Sequence, residues 1–247
     1  MIRILLILQF LFASTAFSAD VGELKSYKAT YSVKYFGFKA GYVHFILLPR
    51  KDNNYVYLSR VEPGLLAHLM VSPEAFERTI LTVDKSGVKP LSWVSEDGKS
   101  QTEGDGELTF DWDTERVFGI VEDEAVEFPL EPGLQNRLSM QIEVLWALLN
   151  KEQPGKITII DGDKIKQYDY VRKEPQEINT DAGIYETILY ESTREGSSRF
   201  KRIYHAPGLD YIPVRFENYK KGKLETVMEL VKVELNDSEP QVVEHDE

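Results

Sequence analysis

The sequence predicts a mainly β protein: an antiparallel sheet curled into a barrel or half-barrel, with one amphipathic helix near mid-chain. Three observations lead to this fold class. Apolar and polar residues alternate with a period of two along segments rich in β-branched and aromatic residues. Turn-forming clusters that contain glycine recur at intervals too short for long helices. Only one segment of substantial length has helical spacing. Short strands at regular spacing are typical of a curled antiparallel sheet.

The first predicted strand shows the period of two most plainly. From Tyr27 to Tyr35, tyrosine, alanine and valine alternate with lysine, threonine and serine. Phe36–Gly41 interrupts the pattern, and Tyr42–Leu48 continues as an almost unbroken apolar strand. Turns are predicted at residues 84–87, 96–99, 161–163, 194–197 and 220–222. Further strands are predicted over Tyr55–Leu58, Thr79–Val83, Leu108–Trp112, Lys156–Ile160, Ile184–Tyr190, Phe200–Tyr204, Ile212–Tyr219 and Leu224–Leu235.

The predicted helix begins after Asn136, which is expected to cap it, and ends before Pro154 and Gly155. A lone helix in a curled sheet has one large apolar surface to cover, the concave face. We therefore expect the apolar stripe to lie on that face, with Trp146 buried at its margin. Residues 63–70 are predicted to form one or two further helical turns. The stripe of the main helix consists of Leu138, Ile142, Leu145 and Leu149.

The N-terminus has the pattern of a secretory signal peptide. Arg3 precedes an apolar run over residues 4–12, and Ala16 and Ser18 have the spacing of a signal peptidase site. Residues 1–18 are thus the predicted signal peptide, residues 19–235 a single β-rich domain, and residues 236–247 an acidic, disordered tail. No later segment is long and apolar enough for a membrane-spanning helix. The sequence predicts a periplasmic protein.

Composition excludes several classes of function. The chain has 247 residues and a net charge of −12, which argues against binding to nucleic acid or to an anionic membrane surface. It has 0 cysteines, so disulfides, cysteine metal sites and the acylated cysteine of a lipoprotein are absent from the sequence. No cofactor is predicted.

Candidate catalytic groups are few. The four histidines lack the spacing of a metal site, and Asp111–Glu115 lacks the glycine and final glutamate of a calcium loop. Glu103, Asp105 and Glu107 alternate along a predicted strand and so share one face, which is one way to present a glycosidase pair. Gly104 and Gly106 between them favour an exposed or edge strand with a solvated acidic face. The sequence predicts no catalytic residue and no enzyme.

Aromatic residues on the strands supply the leading functional hypothesis. They either line a concave face that holds an amphiphile or fill the core beneath the helix. The first alternative describes a non-enzymatic periplasmic envelope protein that binds an apolar or amphiphilic, lipid-like ligand. A structural or interaction protein, which offers a sheet edge or its acidic surface to an envelope protein, is the second hypothesis, and a glycan hydrolase the third. The predicted ligand-binding residues are Tyr31, Tyr35, Phe45, Tyr55, Tyr57 and Trp146.

Five motifs in a fixed order resemble a known family. They are Tyr31-x-Val33-x-Tyr35-x-Gly37-x-x-Ala40-Gly41, Gly87–Leu91, Phe110–Asp113, Leu134–Ser139 and Leu209–Arg215. Over residues 25 to 235 this succession resembles the exported bacterial family known as domain of unknown function 3108. The resemblance implies a periplasmic, mostly antiparallel β protein, similar to the open barrels that carry lipoproteins or lipids. It implies no catalytic residues.

Overall fold

The computed structural model describes residues 24–65, 67–69, 71–99 and 104–236. The predicted signal peptide at residues 1–18 lies outside the described residues, and so do Glu103 and residues 237–247 of the predicted tail. Those assignments, and the domain boundaries drawn from them, stay predictions.

Sixteen strands and one α-helix form within the described ranges, and the bounds follow the chain order. The first eight strands are Ser26–Tyr35 (β1), Phe38–Pro49 (β2), Asn54–Pro63 (β3), Phe76–Asp84 (β4), Gly87–Glu96 (β5), Gly106–Asp111 (β6), Arg116–Val121 (β7) and Glu124–Pro129 (β8). The rest are Gln135–Asn136 (β9), the helix Ser139–Leu149 (α1), Lys156–Asp161 (β10), Lys164–Arg172 (β11), Gln176–Thr180 (β12), Gly183–Thr193 (β13), Arg199–His205 (β14), Pro213–Lys220 (β15) and Lys223–Asn236 (β16). Short 3-10 helices lie at Ala67–Leu69 and Pro207–Leu209.

One curved sheet contains all of these strands, and it is not closed. Its order is β8-β7-β6-β5-β4-β3-β2-β1-β16-β15-β14-β13-β11-β10-β9, with β12 paired to β13. The first and last of the described strands, β1 and β16, pair antiparallel in the middle of the sheet, and among the described strands only β9 pairs parallel, with β10. The predicted fold class is confirmed.

The concave face of the sheet is built by the period of two. On β1, Tyr27, Ala29 and Tyr31 are buried, and each lies opposite an apolar residue of β2. The predicted turns lie in the connections between successive strands elsewhere in the sheet. At the β15–β16 turn Lys221 and Gly222 both have positive φ, +49° and +73°, the backbone that a two-residue hairpin requires.

The helix is buried on two sides, which differs from the single stripe that the sequence predicts. Ile142 and Leu145 lie in the main core with residues of β1–β3, as predicted. Met140, Val144 and Leu148, on another side of the helix, pack with Ile157, Ile159, Tyr170, Tyr190 and Ile203 of β10, β11, β13 and β14. The curled sheet therefore surrounds the helix, because both halves of the sheet turn toward it.

Polar contacts around β9 join this end of the sheet to β4 and β5. The Gln135 side chain donates a hydrogen bond of 2.7 Å to the Val88 carbonyl on β5. The Asn136 amide nitrogen donates one of 2.9 Å to the Thr79 hydroxyl on β4. The sheet thus curls far enough for its β9 end to contact β4 and β5 through side chains. β6 lies between β5 and β7 and is not an edge strand, but Glu107 on it is exposed, as the other predicted alternative requires.

Candidate functional site

Three of the predicted ligand-binding residues form a buried aromatic cluster. The rings of Tyr31 and Phe45 are 5.8 Å apart, and those of Phe45 and Tyr57 are 5.9 Å apart. Phe216 of β15 completes the cluster at 5.6 Å from Tyr31. Burial raises the pKa of Tyr31 and Tyr57 well above the ordinary value, so both phenols stay protonated. The cluster belongs to the main core.

The other predicted residues lie apart from one another. Tyr55 is half-buried against the main core, and Trp146 is buried within it. The Trp146 indole nitrogen has no hydrogen-bond partner among the described residues. Tyr35 is exposed and contacts Phe36 edge-on, with ring centres 4.6 Å apart. None of the six predicted residues lines the cavity described next.

A polar cavity of about 430 Å³ opens at one end of the concave face. Its lining comes from strands that are far apart in sequence but neighbours in the sheet. The β13–β14 turn contributes Arg194 and Ser197, and Arg199 lies at the start of β14. The other lining residues are on strands β10, β11 and β13–β16: Asp161, Lys166, Tyr168, Ser192, Phe200, Lys201, Asn218, Tyr219, Glu225 and Thr226. This volume lies within the range of small-ligand sites.

Positive charge exceeds negative charge on the cavity wall. Lys166, Arg194, Arg199 and Lys201 line it, against Asp161 and Glu225. The carboxylate of Asp161 is already engaged, because Lys166 contacts it at 2.5 Å and Arg137 at 3.7 Å. The cavity therefore presents cations that its own acids do not neutralise.

Arg137 extends this charge network across the gap in the sheet. It contacts Glu77 of β4 at 3.2 Å, and its guanidinium lies 5.2 Å from the centre of the Trp93 ring. Glu77 also accepts a hydrogen bond of 2.6 Å from the Trp93 indole. Arg137 thereby joins β4 and β5 to β10 beside the cavity.

Lys201 is the cation that most clearly lacks a partner. Among the described residues it makes no ion pair, although its ammonium group is exposed in the cavity. The surrounding protein removes part of its hydration and so lowers its pKa, an effect that Asp161 opposes and Arg137 supports. An anion in the cavity would stabilise the charged form of the Lys201 ammonium group in place of the water that it has lost.

The cavity lies directly above apolar side chains. Lys201, Asn218 and Thr226 are on the concave face, and side chains two residues apart on a strand share a face. Ile203 is the next concave-face residue on β14 and Phe216 the next on β15, and Met228 follows Thr226 on β16. A polar opening with an apolar floor is suited to a molecule with one charged end and one apolar end.

The remaining candidate groups have structural tasks. His205 is buried, and its Nδ1 donates a hydrogen bond of 2.8 Å to the Tyr211 carbonyl. Asp105 accepts a hydrogen bond of 2.6 Å from the Asp97 amide, while Glu107 is exposed. Because Glu103 lies outside the described residues, the hydrolase hypothesis stays a prediction. The part of the chain that the structure describes contains no group of three His, Asp or Glu side chains placed to hold a metal ion.

One known protein family matches most of the chain. The family described as Protein of unknown function (DUF3108) matches residues 30–229. The chain belongs to this family. Membership in DUF3108 confirms the resemblance predicted from the five motifs, and it assigns no activity. No curated protein matches the chain.

Solved structures support the fold of this DUF3108 protein. The β-barrel-like protein of domain of unknown function DUF1849 from Brucella abortus covers 87% of this chain and 99% of its own, at 10% identity and a TM-score of 0.53. An exported protein with a YmcC-like fold from Bacteroides fragilis covers 85% of this chain and 96% of its own, at 10% identity and a TM-score of 0.32. MucB in complex with MucA(peri) covers 88% of this chain and 52% of its own, at 9% identity and a TM-score of 0.37. The first likeness shows the fold alone, and the other two carry no conclusion.

Proposed function

We propose that this protein is a non-enzymatic protein of the periplasm that binds an amphiphile with an anionic group. The charged group enters the polar cavity, and the apolar part lies toward the floor formed by Ile203, Phe216 and Met228. The predicted aromatic residues Tyr31 and Phe45 lie behind that floor, in contact with Phe216. They bound the apolar end of the site.

One observation carries this proposal: the cavity holds cations that the described residues leave without counterions. A cation that the protein partly dehydrates is stabilised by an ion of opposite charge, so a cavity lined by unpaired cations favours an anionic ligand. A carboxylate or phosphate accepts hydrogen bonds from both lysine and arginine. Lys201, which the cavity wall partly dehydrates, is the residue expected to contribute most.

Binding is tested with a fluorescent fatty acid and with lysophosphatidylglycerol, titrated into the purified protein. Replacing Lys201→Gln removes the positive charge and keeps the side chain polar. We expect affinity to fall about tenfold, the size of one charge-assisted hydrogen bond. Native mass spectrometry of protein purified from periplasm should also show a bound mass that lipid extraction removes.

The matched control is Lys156→Gln. Lys156 is an exposed lysine on the face of β10 opposite that of the buried Ile157, where it contacts Asp169 at 3.8 Å and does not line the cavity. This variant should bind both probes like the wild type. Equal affinity in all three proteins, together with a single ligand-free mass, would contradict the proposal.

The second candidate function is an interaction protein of the cell envelope. It is favoured by the burial of the helix on two sides, because a filled concave face leaves less room for a large apolar ligand. Crosslinking in cells followed by affinity purification separates the two functions. An interaction protein should yield a specific envelope protein whose capture does not change in the Lys201→Gln variant.

A further inference from the structure

The three most exposed large apolar side chains of the described residues lie at the end of the sheet where the cavity opens, and Phe36 lies beside them. Phe38, Leu65 and Leu69 are 80%, 90% and 88% exposed, and Phe36 is 52% exposed. Single exposed apolar residues are ordinary on protein surfaces. Four large ones on two neighbouring connections, with the half-exposed Tyr35 beside them, form an apolar edge.

Four connections in a row build this edge, and we call them the upper rim. They are residues 64, 65 and 67–69 in the first part of the β3–β4 loop, and the β1–β2, β15–β16 and β13–β14 hairpins. Backbone hydrogen bonds link neighbouring members of the row. Gly64 donates to Ala40 at 2.7 Å, Phe36 to Glu225 at 2.8 Å, and Lys221 to Ser198 at 2.8 Å. The upper rim is therefore a continuous structural unit.

The three hairpins of the upper rim are strongly basic. Residues 34–39, 194–201 and 220–225 contain eight Lys or Arg and two Glu, although the whole chain has a net charge of −12. None of the eight cations makes an ion pair within the described part of the chain. The β3–β4 loop carries no Asp, Glu, Lys or Arg at residues 64–69. The eight are Lys34, Lys39, Arg194, Arg199, Lys201, Lys220, Lys221 and Lys223.

The turn of the β1–β2 hairpin holds an aromatic residue where glycine or asparagine is favoured. Phe36 and Gly37 have φ of +47° and +84°, and a bulky side chain adopts positive φ only at an energetic cost. Phe36 also loses contact with the core by standing in the turn. Packing within the sheet gives no reason for phenylalanine at this position, whereas contact with an external apolar phase does.

We propose that the upper rim docks on the surface of an anionic phospholipid bilayer. Phe36, Phe38, Leu65 and Leu69 enter the interface between headgroups and acyl chains, and the basic hairpins contact the anionic headgroups. Apolar side chains flanked by Lys and Arg are the composition of surfaces that bind such bilayers. The side chains project from loop tips and do not line a groove, which suits a fluid interface better than a folded partner. The cavity then opens toward the membrane.

The net charge of the chain does not oppose this docking. Net charge was the reason to expect no contact with an anionic membrane surface, but it averages over the molecule. Salt screens interactions between exposed charges beyond about 10 Å, so an anionic surface responds mainly to the charges nearest to it. On the three hairpins of the upper rim, eight of the ten charged side chains are positive.

Vesicle flotation of the purified protein tests the proposal. Vesicles of phosphatidylglycerol mixed with phosphatidylethanolamine should carry the protein, pure phosphatidylcholine vesicles should carry much less, and added salt should release it. The apolar variant Phe38→Ser/Leu65→Ser/Leu69→Ser should bind about tenfold more weakly or worse. The basic variant Lys220→Gln/Lys221→Gln/Lys223→Gln should show a similar loss and a smaller salt effect.

Matched controls carry the same changes at the opposite end of the sheet. Leu48→Ser/Ile184→Ser/Leu235→Ser replaces exposed apolar residues there, and Lys28→Gln/Lys51→Gln/Lys85→Gln replaces exposed lysines. Both should float like the wild type. All variants keep the same N-terminus, so any contribution of residues 1–18 cancels. All replaced side chains are exposed or half-buried, and thermal unfolding verifies that each variant is folded.

Three results overturn the proposal. The first is a wild-type protein that does not float with anionic vesicles, and the second is an equal loss of binding in the rim variants and their controls. The third is a wild-type dimer in analytical ultracentrifugation that the apolar variant dissociates while flotation is absent, because the rim would then bind a second copy of the chain. Loss of probe binding in Lys201→Gln with flotation intact supports both the cavity proposal and the rim proposal, because the two sites are tested separately.

Discussion

One buried carboxamide, that of Asn136, fixes the start of the helix to the sheet. Its oxygen accepts hydrogen bonds from the amides of Leu138 and Ser139 at 3.0 and 2.9 Å, and its nitrogen donates to Thr79. The sequence predicts Asn136 as the helix cap, whereas the N-cap residue is Leu138; Asn136, two residues earlier, nevertheless accepts hydrogen bonds from the amides of Leu138 and Ser139. Asn136 also belongs to β9, where it pairs with Ile160, and its side chain contacts the opposite part of the sheet. Composition and spacing could not reveal that second contact, since β4 is remote in sequence.

We expect Asn136→Ala to lower the free energy of unfolding by about 2–3 kcal/mol, because it leaves several buried polar groups without partners. Urea denaturation at neutral pH measures the change. Asn179→Ala is the control, since Asn179 is exposed on β12, and it should lie within about 0.5 kcal/mol of the wild type. A change of similar size in both variants would contradict the role assigned to Asn136.

His205 makes stability depend on pH. Burial lowers the pKa of its imidazole from 6.5 to about 4, although the hydrogen bond to the Tyr211 carbonyl opposes this. The unfolded chain therefore takes up a proton at higher pH than the folded protein does. Stability contributed by neutral His205 is present above about pH 6.5 and is lost as the pH falls toward 4.

His205→Asn tests this dependence, because the Asn amide can replace the Nδ1 donor but does not titrate. Between pH 7 and pH 4.5 the wild type should lose about 2 kcal/mol more unfolding free energy than the variant. Urea denaturation at both pH values gives the difference. Equal losses of unfolding free energy in the two proteins would show that His205 does not cause the loss of stability at acidic pH.

At the scale of elements, the helix is the part most changed by the curl of the sheet. Leu145 lies in the main core and Leu148 in the cluster on another side of the helix. We expect Leu145→Ala and Leu148→Ala each to lower the free energy of unfolding by about 2–5 kcal/mol. A helix buried along one stripe alone would give a large effect at Leu145 and less than about 1 kcal/mol at Leu148. Denaturant unfolding of the two variants distinguishes these cases.

The strands show which elements a sequence can predict. Runs such as Tyr27–Tyr35 alternate clearly and are confirmed as strands, whereas β5, β7, β8, β9, β11 and β12 were not predicted. Pro90 interrupts the pattern of β5, and it is tolerated because the register with β4 shifts beside it. Gly119 interrupts the run of apolar residues in the sequence of β7. Burial and neighbouring strands, which a local pattern does not contain, decide these elements.

The candidate site shows the same limit. Alternation alone places Tyr31 and Phe45 on one face of the sheet, and both are buried there in the main core. The cavity cations were missed, since Lys166 and Lys201 come together only through the pairing of β11, β13 and β14. The available signal was the excess of Lys and Arg in three predicted hairpins. Its meaning depends on those hairpins being neighbours in the sheet.

At the scale of the whole molecule, the central pairing joins the two ends of the described chain. Tyr31 of β1 lies opposite Leu230 of β16, and β16 also pairs with β15. Two long arms of the sheet, β2–β8 and β15–β9, are thus connected through β16. Contacts over such sequence distances form late, because the chain must first close a very long loop. The sheet cannot be completed until β16 is available.

A chain that ends at Gly222 should therefore fail to fold. Without β16, β1 and β15 lose a shared neighbour, and Leu230 is absent from the core. We expect no cooperative unfolding transition, loss of near-ultraviolet circular dichroism and rapid proteolysis of the truncated chain. A chain that ends at Asn236 keeps β16 whole and should unfold cooperatively like the full protein. A peptide of residues 223–236 added during refolding should restore protection, since pairing with β1 and β15 supplies hydrogen bonds along both edges of the strand. A protected, cooperatively unfolding chain without residues 223–247 would show that the two arms fold independently.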